Sequence, residues 1–480
     1  MLNGSISQMP YQIIIPFLPF ITEYVFLKGQ YGLICQAACH IGILLARIIV
    51  PRFIISFGSR LVICTGALLS LSFFIYFFYM IDKIFEYTML PDREEYHLDS
   101  HFSVLIALSF IFGFGIFMSY EGNHLYVKHC AINVENDIMR KKKEYIYSKN
   151  YQQIIFFFRI LSIVAAAFIF ANYNIYLIST IHKLNHLVIY CAALSFASFV
   201  FSLIMEAPYQ NPKLKNSSIF EEESESNYIN RIQSKLSKNH INEHYEYEGS
   251  YLKLSQYLQK DILSNIFSMR MLKYLLHIIC SASMNTMFES VAFIFISTKI
   301  RDNVQEHITR TTFFMFIPYI GIQMLFSFCT CRACYEFNDY GYQRSNRRWG
   351  SIINFLMFAG MCVLAVIFRL KEWDFYQISA QQTIGIFIGG SAYCGLCDLL
   401  FQKQRKSLAY QYQRHLSFYR ATQIVEEFVK AVIQVFLFFQ YFIFLDQWNF
   451  EDILGFQFFI LIGLSLAIGL FLQILICLCF

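Results

Sequence analysis

The chain has 480 residues, of which 56% are hydrophobic, 18% are aromatic and only 15% are charged. This composition excludes an ordinary soluble protein. A transmembrane helix needs about 20 predominantly apolar residues to cross the bilayer, and apolar stretches of that length recur along nearly the whole sequence. We therefore predict an all-α, polytopic membrane protein surrounded by the lipid bilayer.

Twelve candidate spans follow one another, six on each side of a polar segment. They lie at residues 11–27, 31–50, 61–81, 102–122, 150–171 and 185–205, then at 270–298, 310–330, 349–368, 381–402, 419–445 and 452–477. The first is the weakest, because it is short and contains Pro16 and Pro19. No cleavable signal peptide is expected before it, since residues 1–12 hold no basic residue.

The polar segment divides the chain into three predicted domains. These are a six-helix bundle at 1–206, a linker at 207–268 and a second six-helix bundle at 269–480. The linker contains the acidic serine run EEESES at 221–226, which is typical of a solvated segment. Below, the two bundles are called the N-terminal half and the C-terminal half.

Basic residues predict the orientation, because they are retained on the cytoplasmic side during insertion. Connections 2–3, 4–5, 8–9 and 10–11 hold about twice as many Lys and Arg as the alternate connections, and connection 3–4 is acidic. We expect both termini and the linker in the cytoplasm, with the protein in the plasma membrane or in an endolysosomal or vacuolar membrane. This sidedness explains the net charge of +5, so no nucleic-acid partner is predicted.

Two groups of residues raise the question of metal binding. Cys329, Cys331 and Cys334 lie close together at the inner end of span eight, where packing or palmitoylation is the more common use of cysteine. His240 to His244 reads HINEH, the spacing of some zinc peptidases, but no third ligand or folded domain surrounds it. We predict no metal, no cofactor and no enzymatic activity, and we expect the fourteen cysteines to be free thiols.

A local pattern between spans two and three resembles a known superfamily. In ARIIVPRFIISFGSRLVICTG (46–66), Gly58 and Arg60 form a short basic loop. This resembles the loop motif of the major facilitator superfamily, in which Gly permits a tight turn and Arg pairs with an acidic helix end. Phe57 stands where that motif has an acidic residue. The resemblance implies the major facilitator fold, with two six-helix bundles around a central cavity.

Two branches of the superfamily resemble further stretches. The uncoordinated-ninety-three family, known for channel regulators and receptor-trafficking factors, has a span-ten signature GLxDxxxQxQxxxL. The matching positions are Gly395, Leu396, Asp398, Gln402, Gln404 and Leu408. Battenin, a lysosomal membrane protein family, is similar at Arg47, Pro51, GGSAY (389–393) and ATQIVEE (421–427), but its motifs of spans four and five are missing here. We favour the first branch and keep battenin as the alternative.

Charges at bilayer depth are the candidates for substrate binding, because each costs about 2.5–3.5 kcal/mol to insert. Arg159 lies near the midplane when about 1.5 Å per residue is counted from Asn150. It is expected to bind an anionic solute or to form a buried ion pair. In span seven, Asn285 and Glu289 share one helix face and are further cavity candidates.

Span eleven and span two carry further ionisable groups. Glu426 and Lys430 are four residues apart and are expected to neutralise each other, which leaves Glu427 on a different face as a cavity candidate. His40 is interpreted as a packing residue. Arg47 is expected to reach the cytoplasmic rim.

Three residues are candidates for a cytoplasmic gate. Asp398 either pairs with Lys403 or Arg405 at the membrane surface or closes the cytoplasmic mouth against a basic group of the other half. Arg60 and Glu121 are the other two candidates.

The sequence favours a secondary carrier for a small solute or ion, in which the two halves alternate the access to a cavity between them. The alternative is a non-transporting protein with the same fold that regulates an ion channel or escorts a membrane receptor. The span-ten signature supports this alternative.

Overall fold

A computed structural model describes residues 2–26, 29–88, 98–132, 177–205, 262–268, 317–333 and 416–444, most of 153–165, and scattered positions within 271–286 and 388–399. All regular secondary structure in this part of the chain is α-helical. Its seven long helices are α1 (Leu2–Phe26), α2 (Gly29–Phe57), α3 (Ser59–Thr88), α4 (Leu98–Ile132), α5 (Leu177–Ile204), α6 (Ile317–Ala333) and α7 (Leu416–Phe444). They correspond to predicted spans one to four, six, eight and eleven.

Four of these helices contain segments long and apolar enough to cross a membrane, namely Tyr31–Ile54, Ser59–Lys83, His101–Val127 and Leu184–Ile204. This confirms an integral, multi-pass membrane protein. The domain boundaries stay predictions, since most of the linker lies outside the described residues.

The helices extend beyond the predicted spans at several ends. α1 begins at Leu2 instead of residue 11, and α4 continues to Ile132 instead of residue 122. Hydropathy marks the part of a helix that suits hydrocarbon, whereas backbone hydrogen bonding continues the helix into more polar sequence. The prolines of α1, Pro10, Pro16 and Pro19, lie inside the helix.

Pro19 creates a local requirement, because proline has no backbone N–H to bond the carbonyl four residues earlier. That carbonyl belongs to Ile15, which is buried. The Gln36 side chain of α2 donates its Nε2–H to the Ile15 oxygen at 2.6 Å. A buried polar side chain of α2 thus satisfies a carbonyl freed by a proline of α1.

Glycines allow α4 to touch its two neighbours closely. A Cβ on Gly113 of α4 would collide with the Cys39 carbonyl of α2, and one on Gly42 would collide with the Phe110 carbonyl of α4. Gly66 of α3 and Gly115 of α4 approach each other in the same way. Small residues at helix contacts let backbones pack tightly in a bilayer, where the hydrophobic effect does not drive helices together.

Aromatic side chains fill the space between α3 and α4. The Phe73 and Phe112 rings stack with centroids 4.7 Å apart, and Phe74 and Phe77 surround them. All four are buried, and they belong to an apolar cluster that extends through α1, α2 and α5 and includes Tyr319 and Ile320 of α6. Most of this described apolar core therefore belongs to the N-terminal half, and α6 of the C-terminal half completes it.

The connection between α2 and α3 is a single turn. Gly58 has φ +81°, a conformation that other L-residues adopt at a cost, and its N–H donates to the Ile54 carbonyl at 2.8 Å. This matches the role that the superfamily motif implies for glycine.

We predict that Gly113→Val lowers stability by about 1–3 kcal/mol, the usual cost of overpacking. The matched control is Gly389→Val, since nothing lies within 4 Å of a Cβ at that exposed helical position. Thermal unfolding in detergent measures both. Equal midpoints for the two variants would show that the contact between α2 and α4 is not tight.

Candidate functional site between the two halves

α7 brings the C-terminal half against α2 of the N-terminal half. Part of this contact is apolar, with Ile424 and Val425 of α7 in a cluster that Leu44 and Ile48 of α2 pack against. The rest is polar and is built around one carboxylate.

That carboxylate is Glu427, which is 5% exposed. Its Oε2 lies 2.8 Å from Nδ1 of His40, and its Oε1 accepts a hydrogen bond from Nη2 of Arg47 at 3.1 Å. His40 and Arg47 are seven residues apart, which places both on one face of α2. The two side-chain oxygens of Glu427, a residue of the C-terminal half, are therefore bound by two nitrogen groups of the N-terminal half.

Arg47 is held on several sides. Its Nη1 donates to Oε1 of Gln423 at 3.0 Å, and its guanidinium carbon lies 4.7 Å from the centroid of the Phe117 ring in α4. A cation over an aromatic face is attracted by the ring quadrupole. The guanidinium is thus turned into the contact between the halves, and its predicted place near the cytoplasmic rim stays a prediction.

Polar contacts continue on both sides of Glu427. Nε2 of Gln434 donates to Oε1 of Gln36 at 3.1 Å, so Gln36 joins the Ile15 carbonyl of α1 to α7. At the other end, Nη2 of Arg420 donates to Oε1 of Glu121 in α4 at 3.1 Å.

These contacts form what we call the polar interface, and its members are Gln36, His40, Arg47 and Glu121 of the N-terminal half with Arg420, Gln423, Glu427 and Gln434 of the C-terminal half. From Arg420 to Gln434 the interface covers about 21 Å of α7, at about 1.5 Å per residue. That length is about two thirds of a hydrocarbon core of roughly 30 Å.

Asp398 has a different environment, within the C-terminal half. It is 3% exposed, and its Oδ2 accepts hydrogen bonds from the Tyr319 hydroxyl and from Nε2 of Gln323, both at 2.9 Å. A Cβ on Gly395, one turn earlier, would collide with the Tyr319 carbonyl. These contacts bind span ten to α6.

Charges from both halves surround Asp398. Lys430, Glu426 and Arg159 lie close enough for their charges to act on its carboxylate, and Lys430 acts on Glu427 as well. We call Arg159, Asp398, Glu426 and Lys430 the charge cluster. Arg159 comes from the N-terminal half and the other three residues from the C-terminal half, so the cluster spans the boundary between the halves.

The predicted cavity residues are placed as follows. Arg159 belongs to the charge cluster, and Glu427 lies in the polar interface, bound to His40 and Arg47. Asn285 and Glu289 lie outside the described residues. The roles assigned to all four stay predictions.

The three gate candidates differ in their contacts. Glu121 is joined to the other half through Arg420. Arg60 donates to the carbonyl oxygens of Ser202 and Leu203 at the end of α5, so these bonds stay within the N-terminal half. A guanidinium suits this place, because the last carbonyls of a helix lack backbone partners. The superfamily motif implied an acidic partner for this arginine, and here the partners are carbonyls.

Asp398 is the third gate candidate, and its hydrogen bonds lie within its own half. Lys403 and Arg405, which the sequence offered as its partners, lie outside the described residues. Arg159 of the other half is near enough to act on it electrostatically.

Several residues of the site were not found from the sequence. Arg420 and Gln434 stand seven residues before and after Glu427, which was a predicted cavity residue, and this spacing places all three on one helix face. That repeat, in a helix where polar residues are costly, could have indicated the polar interface. Tyr319 and Gln323 carry no such signal, because nothing in their spacing indicates that span ten packs on them.

Among the described residues, no three His, Cys, Asp or Glu side chains lie close enough to hold a metal ion. Cys35, Cys39, Cys64 and Cys191 are free thiols. Cys334 and the HINEH stretch lie outside the described residues.

Sequence comparison finds no protein-family model that matches the chain and no matching curated protein. Structure comparison finds similar folds. A D-xylose–proton symporter is 11% identical with a TM-score of 0.62, over 98% of this chain and 96% of the other. A bacterial homologue of the human drug peptide transporters PepT1 and PepT2 is 10% identical with a TM-score of 0.54, over 99% and 95%. A bacterial homologue of the iron transporter ferroportin, in an outward-facing state, is 11% identical with a TM-score of 0.53, over 98% and 97%.

A similar xylose symporter is described as a major facilitator superfamily protein, with 14% identity and a TM-score of 0.57. Likeness at such identity establishes the fold and leaves the activity to be argued separately. The predicted all-α major facilitator fold is confirmed.

Proposed function

We propose that the chain is a secondary carrier, in which two six-helix halves move against each other and expose a central site to each side of the membrane in turn. The observation that carries the proposal is the polar interface. Its hydrogen bonds and ion pairs join α2 and α4 to α7 through groups that water can solvate when the halves separate. Most of the described apolar core lies within the N-terminal half. Such a contact suits halves that part and rejoin.

The charge cluster is the proposed place of solute binding. Charges of both signs meet there at the boundary between the halves, with Arg159 on one side and Asp398, Glu426 and Lys430 on the other. Charged groups at bilayer depth mark substrate pathways, because their insertion is costly. We infer that the solute is a small molecule or ion that carries charge.

Arg159 provides the test of this function. In vesicles that contain the purified protein, we expect uptake of at least one solute from a panel of charged metabolites under an imposed pH gradient. Arg159→Lys keeps the charge but loses the planar fork that binds a carboxylate or phosphate through two hydrogen bonds. It should fold normally and lose about 90% or more of the uptake, as expected for a lost bidentate contact worth more than about 1.4 kcal/mol. Arg159→Leu should be inactive and fold as well as the wild type.

The opposite pattern would assign Arg159 to a structural ion pair. In that case Arg159→Leu would fail to fold, while Arg159→Lys would transport like the wild type. Thermal unfolding of each variant, measured in the same detergent, separates loss of fold from loss of transport.

Among the branches of the superfamily, we propose the uncoordinated-ninety-three-like one, with battenin as the alternative. Gly395 and Asp398 of its span-ten signature bind span ten to α6, a structural role that a non-transporting protein would need equally. A well-folded protein that moves no solute of the panel would therefore favour a regulator of a channel or a trafficking factor for a receptor over a carrier.

We also propose that both termini and the linker face the cytoplasm, on the strength of the Lys and Arg distribution. Trypsin added outside sealed, right-side-out vesicles should leave the linker intact, although Lys213, Lys215 and Arg231 offer cleavage sites. After the vesicles are opened, the same protease should cut there. Cleavage of the linker in sealed vesicles would show that the linker faces the outside and that the proposed topology is wrong.

A further inference from the structure

We propose that His40 is the proton-binding site of the protein, and that the proton it binds is the coupling ion of the carrier proposed above. Only the role of this proton in coupling rests on the proposed function. The binding site itself follows from contacts alone. His40 is 1% exposed in the middle of α2, and its imidazole touches a carboxylate that belongs to the other half.

The geometry identifies the nitrogen that takes the proton. Nδ1 faces Oε2 of Glu427 at 2.8 Å, so in the neutral ring Nδ1 carries the hydrogen, because a lone pair would be repelled by a carboxylate oxygen. The added proton comes from water and binds Nε2, which forms one N–H bond and converts the ring to an imidazolium. When the proton returns to water, that N–H bond breaks and the neutral ring remains.

The charge on the ring changes the contact between the halves. A neutral imidazole already donates a charge-assisted hydrogen bond to the ionised Glu427 carboxylate, and an imidazolium adds the attraction between two opposite charges. The proton therefore strengthens the joined arrangement of α2 and α7. Because the proton stabilises the joined halves, the joined halves also bind the proton more tightly, and parting of the halves releases it.

Other charges face this pair from the helices around it. Arg47 occupies Oε1 of Glu427, so it does not compete for the oxygen that His40 contacts. Lys430 acts on Glu427 from one turn away on α7, and Glu426, four residues before Lys430, opposes its charge. When His40 is neutral, the opposite charges of Arg47 and Glu427 cancel. Binding of the proton to His40 then adds one positive charge to this group.

Several other titratable groups in the described parts of the packed helices have partners of their own. On α4, Glu121 bonds Arg420, His101 bonds Tyr76 and His124 stacks on Tyr120. On α1, Tyr11 packs against Phe112. On α3, Arg60 bonds the end of α5, and Lys83 lies over Tyr79 near Asp82. Glu121 and Asp398 also act on α7, through Arg420 and through Glu426 and Lys430 respectively, whereas His40 is the histidine that contacts Glu427.

Hydrogen–deuterium exchange of the full chain in lipid nanodiscs tests the site, with the proton itself as the probe. After correction for the intrinsic rate, amides of α2 (Gly29–Phe57) and α7 (Leu416–Phe444) should exchange about three- to tenfold more slowly at pH 5.5 than at pH 7.5. His40→Gln keeps a donor for Glu427 but cannot bind the proton, so this difference should vanish. The matched control is His186→Gln, an exposed histidine of α5, which should keep the difference.

Glu427→Gln provides a second variant if His40→Gln does not fold, because it keeps His40 but removes the charge that the imidazolium binds. It should also abolish the pH difference. The proposal is overturned if the wild type shows no difference, or if either variant keeps it.

Transport separates this proposal from the proposed function. For any solute that the panel identifies, uphill uptake driven by a pH gradient should stop in His40→Gln, while downhill exchange should continue. If hydrogen exchange at the interface depends on pH but no solute is transported, only the carrier function is contradicted. If a solute is transported but hydrogen exchange at the interface does not depend on pH, only the proton site is contradicted.

Discussion

The carboxylate of Glu427 imposes the main constraint on the contact between the halves. An ionised group at bilayer depth is costly unless it is paired and hydrogen-bonded, and Glu427 finds both of its nitrogen partners, His40 and Arg47, on the opposite half. The halves therefore cannot separate along α2 and α7 without solvating or neutralising this carboxylate. In the carrier proposed above, parting of the halves thus requires a change in the solvation or charge of Glu427.

The polar interface is supported from behind by the architecture of the N-terminal half. Pro19 frees a buried carbonyl in α1, and Gln36 of α2 bonds both that carbonyl and Gln434 of α7. The Gly42 and Gly113 contacts hold α2 directly against α4, where Phe117 lies under the guanidinium of Arg47. The side chains that meet the C-terminal half are thus fixed by a rigid backbone, as a specific contact requires.

Much of the fold could be predicted from the sequence, because apolar runs of span length and the turn at Gly58 follow from local chemistry. The partners of the charged residues could not, since they come from helices hundreds of positions apart, as with His40 and Glu427. Glu427 was interpreted as a cavity residue because no partner lay on its own helix face. Asn285 and Glu289 lie outside the described residues, so their predicted role stays open to test.

A double-mutant cycle between Arg47 and Glu427 tests most directly whether ionic pairing joins the halves. Arg47→Leu and Glu427→Leu should each lower the thermal midpoint, because each removes one oppositely charged partner from the remaining group. The double variant should be more stable than the sum of the two losses allows, with an interaction energy of about 1–3 kcal/mol. Additive losses would contradict a joined carboxylate and guanidinium at this interface.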